Sequence, residues 1–178
     1  MVKIKTRNII YFICLLFFFI SCDNFKDEEL MLERQDYTGN ELEIDGYYYE
    51  QWASDDSPIE NYTNVLFLYR NGIIIRSASF KTIDLNEVEK EMVEQYEYLQ
   101  THKTRHGVFI INENTIQLSM WVWNNKVRSF KSIGIIDNDT TFRIIKDIKS
   151  DGKEFECNDV YHFRQFSPKP DSTNNFIK

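Results

Sequence analysis

From residue 44 onward the chain is a succession of short runs rich in aromatic and β-branched residues, separated by turn-forming residues. Runs of this composition are typical of β-strands. Asn71-Gly72 between two of them predicts a tight hairpin, because both residues tolerate a positive φ angle. We expect about eight strands, at residues 46–53, 65–69, 73–80, 107–111, 115–123, 127–136, 140–148 and 153–166.

One segment has a different period. Between residues 84 and 100, apolar residues recur at steps of three and four, which predicts one amphipathic α-helix. These residues are Leu85, Val88, Met92, Tyr96 and Leu99. Asp84, followed three positions later by Glu87, is typical of a helix N-cap pair.

The connections between the predicted strands are short, so strands that follow one another should be antiparallel neighbours. Eight such strands most economically close into an up-and-down β-barrel of the lipocalin type, because closure removes exposed edges. The predicted fold is therefore mainly β, with one inserted helix. A curled open sheet or a sandwich is the alternative.

The strand at residues 115–123 suggests a binding surface. One face carries apolar residues, and the other carries Trp121 and Trp123 together with polar residues. The apolar face consists of Ile116, Leu118, Met120 and Val122, and the Trp face also includes Gln117 and Ser119. If the aliphatic face packs outside under the helix, the Trp face lines the lumen. If the aliphatic face fills the lumen, the two indoles form an exposed patch, and patches of this kind often bind ligands or partners. The third reading is that both rings are ordinary core or edge-covering residues.

The start of the chain has the layout of a secretory signal. Lys3, Lys5 and Arg7 precede an apolar run over residues 9–20, and Ser21 stands before Cys22. A helix of that length would reach about 18 Å, short of a hydrocarbon core of about 30 Å. An ordinary cleaved signal and an uncleaved anchor are the alternatives to attachment of lipid at Cys22.

The residues from Phe19 to Cys22 resemble a bacterial lipobox, which implies cleavage before Cys22 and lipidation of its thiol. The segment 26–29, Lys-Asp-Glu-Glu, resembles the export signal of surface lipoproteins of Bacteroidota. A short charged tether is its alternative reading. The resemblance implies an outer-membrane lipoprotein of the cell envelope, displayed on the outer face. We expect a signal peptide at 1–21, an acidic tether at 22–43 and a barrel domain at 44–178 with a Pro-containing tail.

Several stretches together resemble a group of small Bacteroidota lipoproteins with a lipocalin-like barrel. They are GYYY, LYRNG, HGVFIINENTIQLSMW, IIDNDTTFRI and YHFRQFSPKPDSTNNFIK. The resemblance implies a barrel that holds an apolar or amphipathic molecule, and it implies no catalytic residues. His106 stands where the group has Trp, so a ring that plugs one barrel end would be smaller and more polar here.

Charge limits the partners. The net charge of −7 becomes −10 when the signal with its three positive residues leaves, so nucleic acid is an unfavourable partner. Of three cysteines only Cys157 would remain free in the domain, and an internal disulfide is not expected. His102 and His106 stand four positions apart, but the helical pattern ends before them, so we predict no metal site and no cofactor.

The sequence contains no recognisable catalytic motif, and we therefore predict a protein that is not an enzyme. The expected function is to bind a small apolar or glycan ligand while Cys22 holds the protein to the membrane. The candidate contact residues are Trp121, Trp123, Tyr47, Tyr49 and His106. The alternative is a structural or protein-interaction subunit of an envelope complex, with a filled barrel.

Overall fold

The computed structural model describes residues 26–54 and 57–178, and within them the chain forms one closed barrel of eight antiparallel strands. The predicted up-and-down order is confirmed, because each strand pairs with the next and β1 pairs with β8. The strands are β1 (Gly46–Ser54), β2 (Ser57–Leu68), β3 (Ile73–Arg76), β4 (His106–Asn112), β5 (Thr115–Asn124), β6 (Lys126–Asn138), β7 (Thr141–Lys149) and β8 (Glu154–Gln165).

The predicted helix lies between β3 and β4 and consists of two pieces. These are α1 (Leu85–Glu94) and α2 (Tyr96–Thr101), followed by a 3₁₀ turn at Lys103–Arg105. Asp84 caps α1 as predicted, since its carboxylate accepts a hydrogen bond from Asn86 N at 2.9 Å. Among the described residues, no helix is long and apolar enough to span a membrane.

Two strands differ from the sequence prediction at their ends. β2 begins at Ser57, well before the predicted residue 65, and β3 ends at Arg76 instead of residue 80. Beyond Arg76 the chain leaves the ladder, and Phe80 makes only an isolated bridge to Thr63. In the hairpin turn Gly72 has a φ angle of +73° but Asn71 does not have a positive φ, so only one residue of the pair uses the left-handed region.

The barrel has two different ends. We call the lower end the one where β1 starts and the upper end the one where β1 finishes. Residues 37–45 close the lower end: Tyr48 Oη donates to the carbonyls of Glu43 and Asp139, at 2.9 and 3.0 Å. Tyr37 packs against Phe109 with ring centroids 5.5 Å apart. Access to the lumen is therefore from the upper half.

Apolar residues form one core inside the barrel and another outside it. The inner core fills the lower lumen and contains, among others, Tyr48, Leu68, Ile116, Leu118 and Phe142. The outer core lies between the helices and strands β1 to β4, and contains Tyr47, Val65, Phe67, Ile73, Ile75, Val88, Met92, Leu99 and Val108. Half of the barrel wall is thus buried on both faces.

The seam between β1 and β8 is closed only in the lower half. Its register runs from Gly46 opposite Gln165 to Tyr49 opposite His162, and the residues that the structure describes form no further pairs across it. Above this point β1 continues to pair with β2, and β8 continues to pair with β7. The two strands therefore diverge, and a lateral cleft opens in the upper wall.

Candidate functional site

Polar and charged side chains line the upper lumen, in contrast to the apolar lower half. They come from six of the eight strands: Glu50, Asn64, Arg76, Ser132, Asp147, Asp159 and Tyr161, with Leu66, Leu118, Met120, Phe130 and Ile144 as apolar neighbours. All but Asp147 point inward because they follow the two-residue alternation of their strands. Asp147 faces the lumen because the register of β7 shifts between Ile144 and Lys146. The upper lumen is therefore suited to a molecule with polar groups.

Three cavities meet in this region. An inner cavity of about 190 Å³ lies between the strands. The mouth, of about 540 Å³, opens at the upper end and shares Arg76, Phe130 and Asp147 with the inner cavity. The lateral cleft, also of about 540 Å³, shares Glu50 and Asp159 with it. The mouth and the cleft each fall in the usual range of 300–1,000 Å³ for ligand sites.

Aromatic rings form part of the walls. Trp52 lines the cleft, is 42% exposed and stacks on Tyr62 with ring centroids 4.7 Å apart. Phe155 lines the mouth, and the ammonium group of Lys149 lies 4.3 Å from its ring centroid. These surfaces could contact the apolar part of a ligand whose polar groups enter the inner cavity.

Arg76 is the cation of the inner cavity. Within the described structure its guanidinium has no hydrogen bond and no ion pair, and it lies 5.7 Å from the ring centroid of Phe130. Burial lowers the pKa of Arg76, and the positive charge of Arg105 lowers it further. The arginine still remains charged at neutral pH, since its ordinary pKa is above 12.

The carboxylates around the inner cavity are partnered to different degrees. Burial raises the pKa of Glu50 above its ordinary value. Hydrogen bonds from Asn64 and Tyr161 offset only part of this increase. Asp147 accepts a hydrogen bond from Ser132 Oγ. Burial and the nearby charge of Asp147 raise the pKa of Asp159, whose carboxylate accepts no hydrogen bond from the described residues. The cavity thus contains acceptors as well as an unpaired donor group.

Cys157 lies on the lumen side of β8 and packs against the inner core. Burial and the surrounding carboxylates raise the pKa of its thiol to about 11. The thiol is therefore protonated at neutral pH and a poor nucleophile. Cys157 therefore serves as a small packing residue of the inner core.

The sequence-predicted contact residues do not form one site. The aliphatic face of β5 lies in the lumen, so Trp121 and Trp123 are on the outer face of the barrel. They nevertheless do not form the expected exposed pair, because Trp123 is 69% exposed and Trp121 only 2%. Trp121 Nε1 donates to Glu28 O at 2.7 Å, and Lys103 Nζ lies 4.5 Å from its ring centroid.

The other three predicted residues also lie outside the lumen. Tyr47 is buried beneath α1 and donates its hydroxyl to Glu89 at 3.1 Å, while half-buried Tyr49 contacts His162. His106 does not plug a barrel end, because its ring packs under Phe176 of the C-terminal tail. Burial lowers the pKa of His106. These side chains support the structure and do not contact the three cavities, apart from Tyr49 at the edge of the cleft.

The described part of the predicted tether is docked on the barrel. We call residues 26–36 the N-terminal arm. The carboxylate of Glu28 accepts from Arg128 Nη1 at 2.8 Å and from Ser129 N at 2.9 Å, and Glu28 N donates to Val127 O. Met31 N donates to Ser119 Oγ at 2.9 Å. The arm therefore covers Trp121, which explains why that indole is buried.

Comparisons with known protein families, with curated proteins and with solved structures find no match for this chain. Within residues 26–54 and 57–178, no group of three or more His, Cys, Asp and Glu side chains is placed to hold a metal ion. Function must therefore be inferred from the geometry of the upper lumen.

Sequence reasoning missed the charged residues of the upper lumen. Glu50, Arg76, Asp147 and Asp159 are far apart along the chain and come from four different strands. A usable signal was present for Glu50, Arg76 and Asp159, because each is in phase with apolar lumen residues of its own strand, as Arg76 is with Ile74. Asp147 is out of phase with Phe142 and Ile144, because the register of β7 shifts between Ile144 and Lys146. A charged residue in phase with an apolar face is a candidate lumen residue.

Proposed function

We propose that the protein is a lipid-anchored binding protein of the cell envelope, which holds a small amphipathic or polar molecule in the upper half of its barrel. Binding without catalysis is the proposed activity. An eight-stranded barrel is just wide enough to be filled by side chains or to hold one small ligand. Here the lower half follows the first pattern and the upper half has room for a ligand.

The observation that carries the proposal is the set of three cavities with shared walls. A protein with only a structural barrel would gain stability by filling this space with apolar side chains. Instead the upper lumen contains charged groups with unused hydrogen-bonding capacity, which are costly to bury without a partner. A bound ligand would supply the missing partners.

The proposed anchor is Cys22, which lies outside the described residues. Six residue steps separate it from Glu28, and a fully extended chain of this length reaches about 20 Å. Because Glu28 is fixed beside β5 and β6, an anchor at Cys22 would hold the upper end of the barrel within that distance of the membrane. The ligand site would then lie close to the lipid surface.

A blocked cavity tests the binding proposal. Val122 follows the lumen alternation of β5 and lines the mouth, whereas Gln117 lies on the outer face of the same strand. We expect protein purified gently from its native host to keep a small adduct in native mass spectra, and Val122→Trp to lose it. Gln117→Trp is the matched control and should keep the adduct. Bare wild-type protein that responds to no probe in a lipid, sugar and amino-acid panel would refute the proposal.

The anchor needs a separate test. We expect Cys22→Ala to move the protein from the membrane fraction to the soluble fraction after cell lysis. Complete retention of Cys22→Ala in the membrane would contradict lipidation at this residue. Protease treatment of intact cells tests outer-face display, because a surface protein is degraded without cell breakage.

A second function, as an interaction subunit, is favoured by Trp123. This indole is 69% exposed near the β5–β6 turn, and Trp is enriched in the centres of protein interfaces. Under this alternative, protein from the native host would carry a defined partner chain without a small adduct. Trp123→Ala would then release that chain, whereas Trp52→Ala, which changes another exposed indole, would not.

A further inference from the structure

Arg76 and the acidic pair Glu50 and Asp159 lie toward different openings of the upper lumen. Arg76 belongs to the walls of the inner cavity and the mouth, but not to those of the lateral cleft. Glu50 and Asp159 belong to the walls of the inner cavity and the cleft, but not to those of the mouth. The inner cavity therefore has a basic group toward one opening and two acidic groups toward the other.

The surroundings of the two openings strengthen this polarity. Arg128 and Lys149 also line the mouth, and the acidic residues of its lining are Asp147 and Asp151. Among the described side chains, no Lys or Arg lines the cleft. A ligand that crosses the inner cavity would thus meet a more positive potential on the mouth side and a more negative one on the cleft side.

The groups that face the cavity have unused hydrogen-bonding capacity. The Arg76 guanidinium can donate five hydrogen bonds, and in the described structure it donates none to the protein. Asp159 accepts none there, and Glu50 accepts from Asn64 at 3.0 Å and from Tyr161. Asp147 lies near Arg76 and faces the same cavity, but it forms no ion pair with it and is hydrogen-bonded to Ser132.

We infer that the upper lumen binds a small zwitterion, whose carboxylate lies against Arg76 and whose ammonium group lies between Glu50 and Asp159. Arginine and carboxylate form two parallel hydrogen bonds with good geometry. An ammonium group offers three donors to the acidic end. The inner cavity, about 190 Å³, is smaller than a typical drug-sized site, so the ligand class is that of a free amino acid or a similarly small molecule. This inference rests on the proposed binding function.

Three probes of equal chain length test the inference. They are 5-aminopentanoate, pentylamine and pentanoate, each titrated calorimetrically into the purified full chain at low salt. We expect 5-aminopentanoate to bind at least tenfold more tightly than either probe with a single charge. Glycine and leucine extend the panel to α-amino acids.

Two variants assign the two ends. Arg76→Gln should abolish the preference for 5-aminopentanoate over pentylamine but keep the preference over pentanoate. Asp159→Asn should have the opposite effect. Each preference is a ratio within one variant, so a partly unfolded sample lowers both affinities and leaves the ratio unchanged. Arg143→Gln is the control, because Arg143 pairs with exposed Asp137 on the outside of the barrel and should change neither ratio.

The failures can be distinguished. If pentylamine binds wild-type protein as tightly as 5-aminopentanoate, or if Arg76→Gln keeps every ratio, the zwitterion inference is wrong. If no charged probe binds but a lipid or sugar binds and is lost in Val122→Trp, the inference fails while the proposed binding function stands. If no probe of any class binds, both fail.

Discussion

The docking of the N-terminal arm depends on the carboxylate of Glu28, and this gives the sharpest stability prediction. Glu28→Ala removes the acceptor of a backbone N–H bond from Ser129 at 2.9 Å and of a bond from Arg128 at 2.8 Å. A hydrogen bond to a charged group contributes about 1.5–3 kcal/mol. The exposed ion pair with Arg128 adds little. We expect the free energy of unfolding to fall by about 2 kcal/mol.

In a chain of this size a loss of 1 kcal/mol lowers the melting temperature by about 2–4 °C, so the shift should be about 4–8 °C. Trp121, whose indole lies under the arm, reports on the same change through its fluorescence. If the arm detaches at temperatures where the barrel remains folded, the emission should shift to longer wavelength. Glu29→Ala is the matched control, because Glu29 is exposed and has no hydrogen bond through its carboxylate in the described structure.

The pH dependence of this difference follows from the pKa of Glu28. Burial by itself would raise this pKa, but hydrogen bonds from Ser150, Ser129 and Arg128 together lower it below its ordinary value of 4.5. A lowered carboxyl pKa stabilises the folded state above the unfolded-state pKa, and this contribution is lost as the pH falls through the folded-state pKa. The gap between wild type and Glu28→Ala should therefore shrink below about pH 4. Equal melting temperatures for Glu28→Ala and Glu29→Ala at pH 7 would refute the reasoning.

Three further predictions concern Lys169, the C-terminal tail and Cys157. Burial lowers the pKa of Lys169 to about 8. Between pH 8 and about 10 the Lys169 side chain is therefore protonated in the unfolded chain and deprotonated in the folded chain. Urea unfolding should therefore show stability rising with pH in that window, and Lys169→Met should remove the rise; an equal rise in the variant contradicts it. Deletion of residues 176–178 should expose His106, so that its pKa, measured by NMR, rises toward 6.5; deletion of Lys178 alone is the control. The Cys157 thiol, with its pKa of about 11, should react with iodoacetamide at pH 8 much more slowly in folded than in urea-unfolded protein, and equal rates would count against a buried thiol.

Much of the fold could be predicted from local pattern. The eight strands, the helix after the third strand and the Asp84 cap follow from two-residue and three-to-four-residue periodicity, which are properties of neighbouring residues. The ends of β2 and β3 could not be predicted in this way. Arg76 ends β3 because the chain turns away to form the outer helices, and Phe80 is then buried against the outer core instead of continuing the strand.

The side chains that line the candidate site could not be predicted from local sequence pattern alone. Alternation on β5 separates Ile116 and Leu118 from Trp121 and Trp123, but it does not say which set faces the lumen, because the barrel carries apolar cores on both sides of its wall. The fate of Trp121 depends on Glu28, which lies 93 residues away along the chain. No strand pattern contains that contact.

The sequence by itself thus determined the elements, their order and the antiparallel pairing of successive strands, because short connections and side-chain alternation are local. Only the tertiary structure decided which faces enclose the lumen, where the seam between β1 and β8 opens, and that Glu50, Arg76 and Asp159 share one cavity. Those outcomes depend on closure of the first strand on the last and on packing of the helices and the arm over the wall. They are contacts between distant residues, which no periodicity encodes.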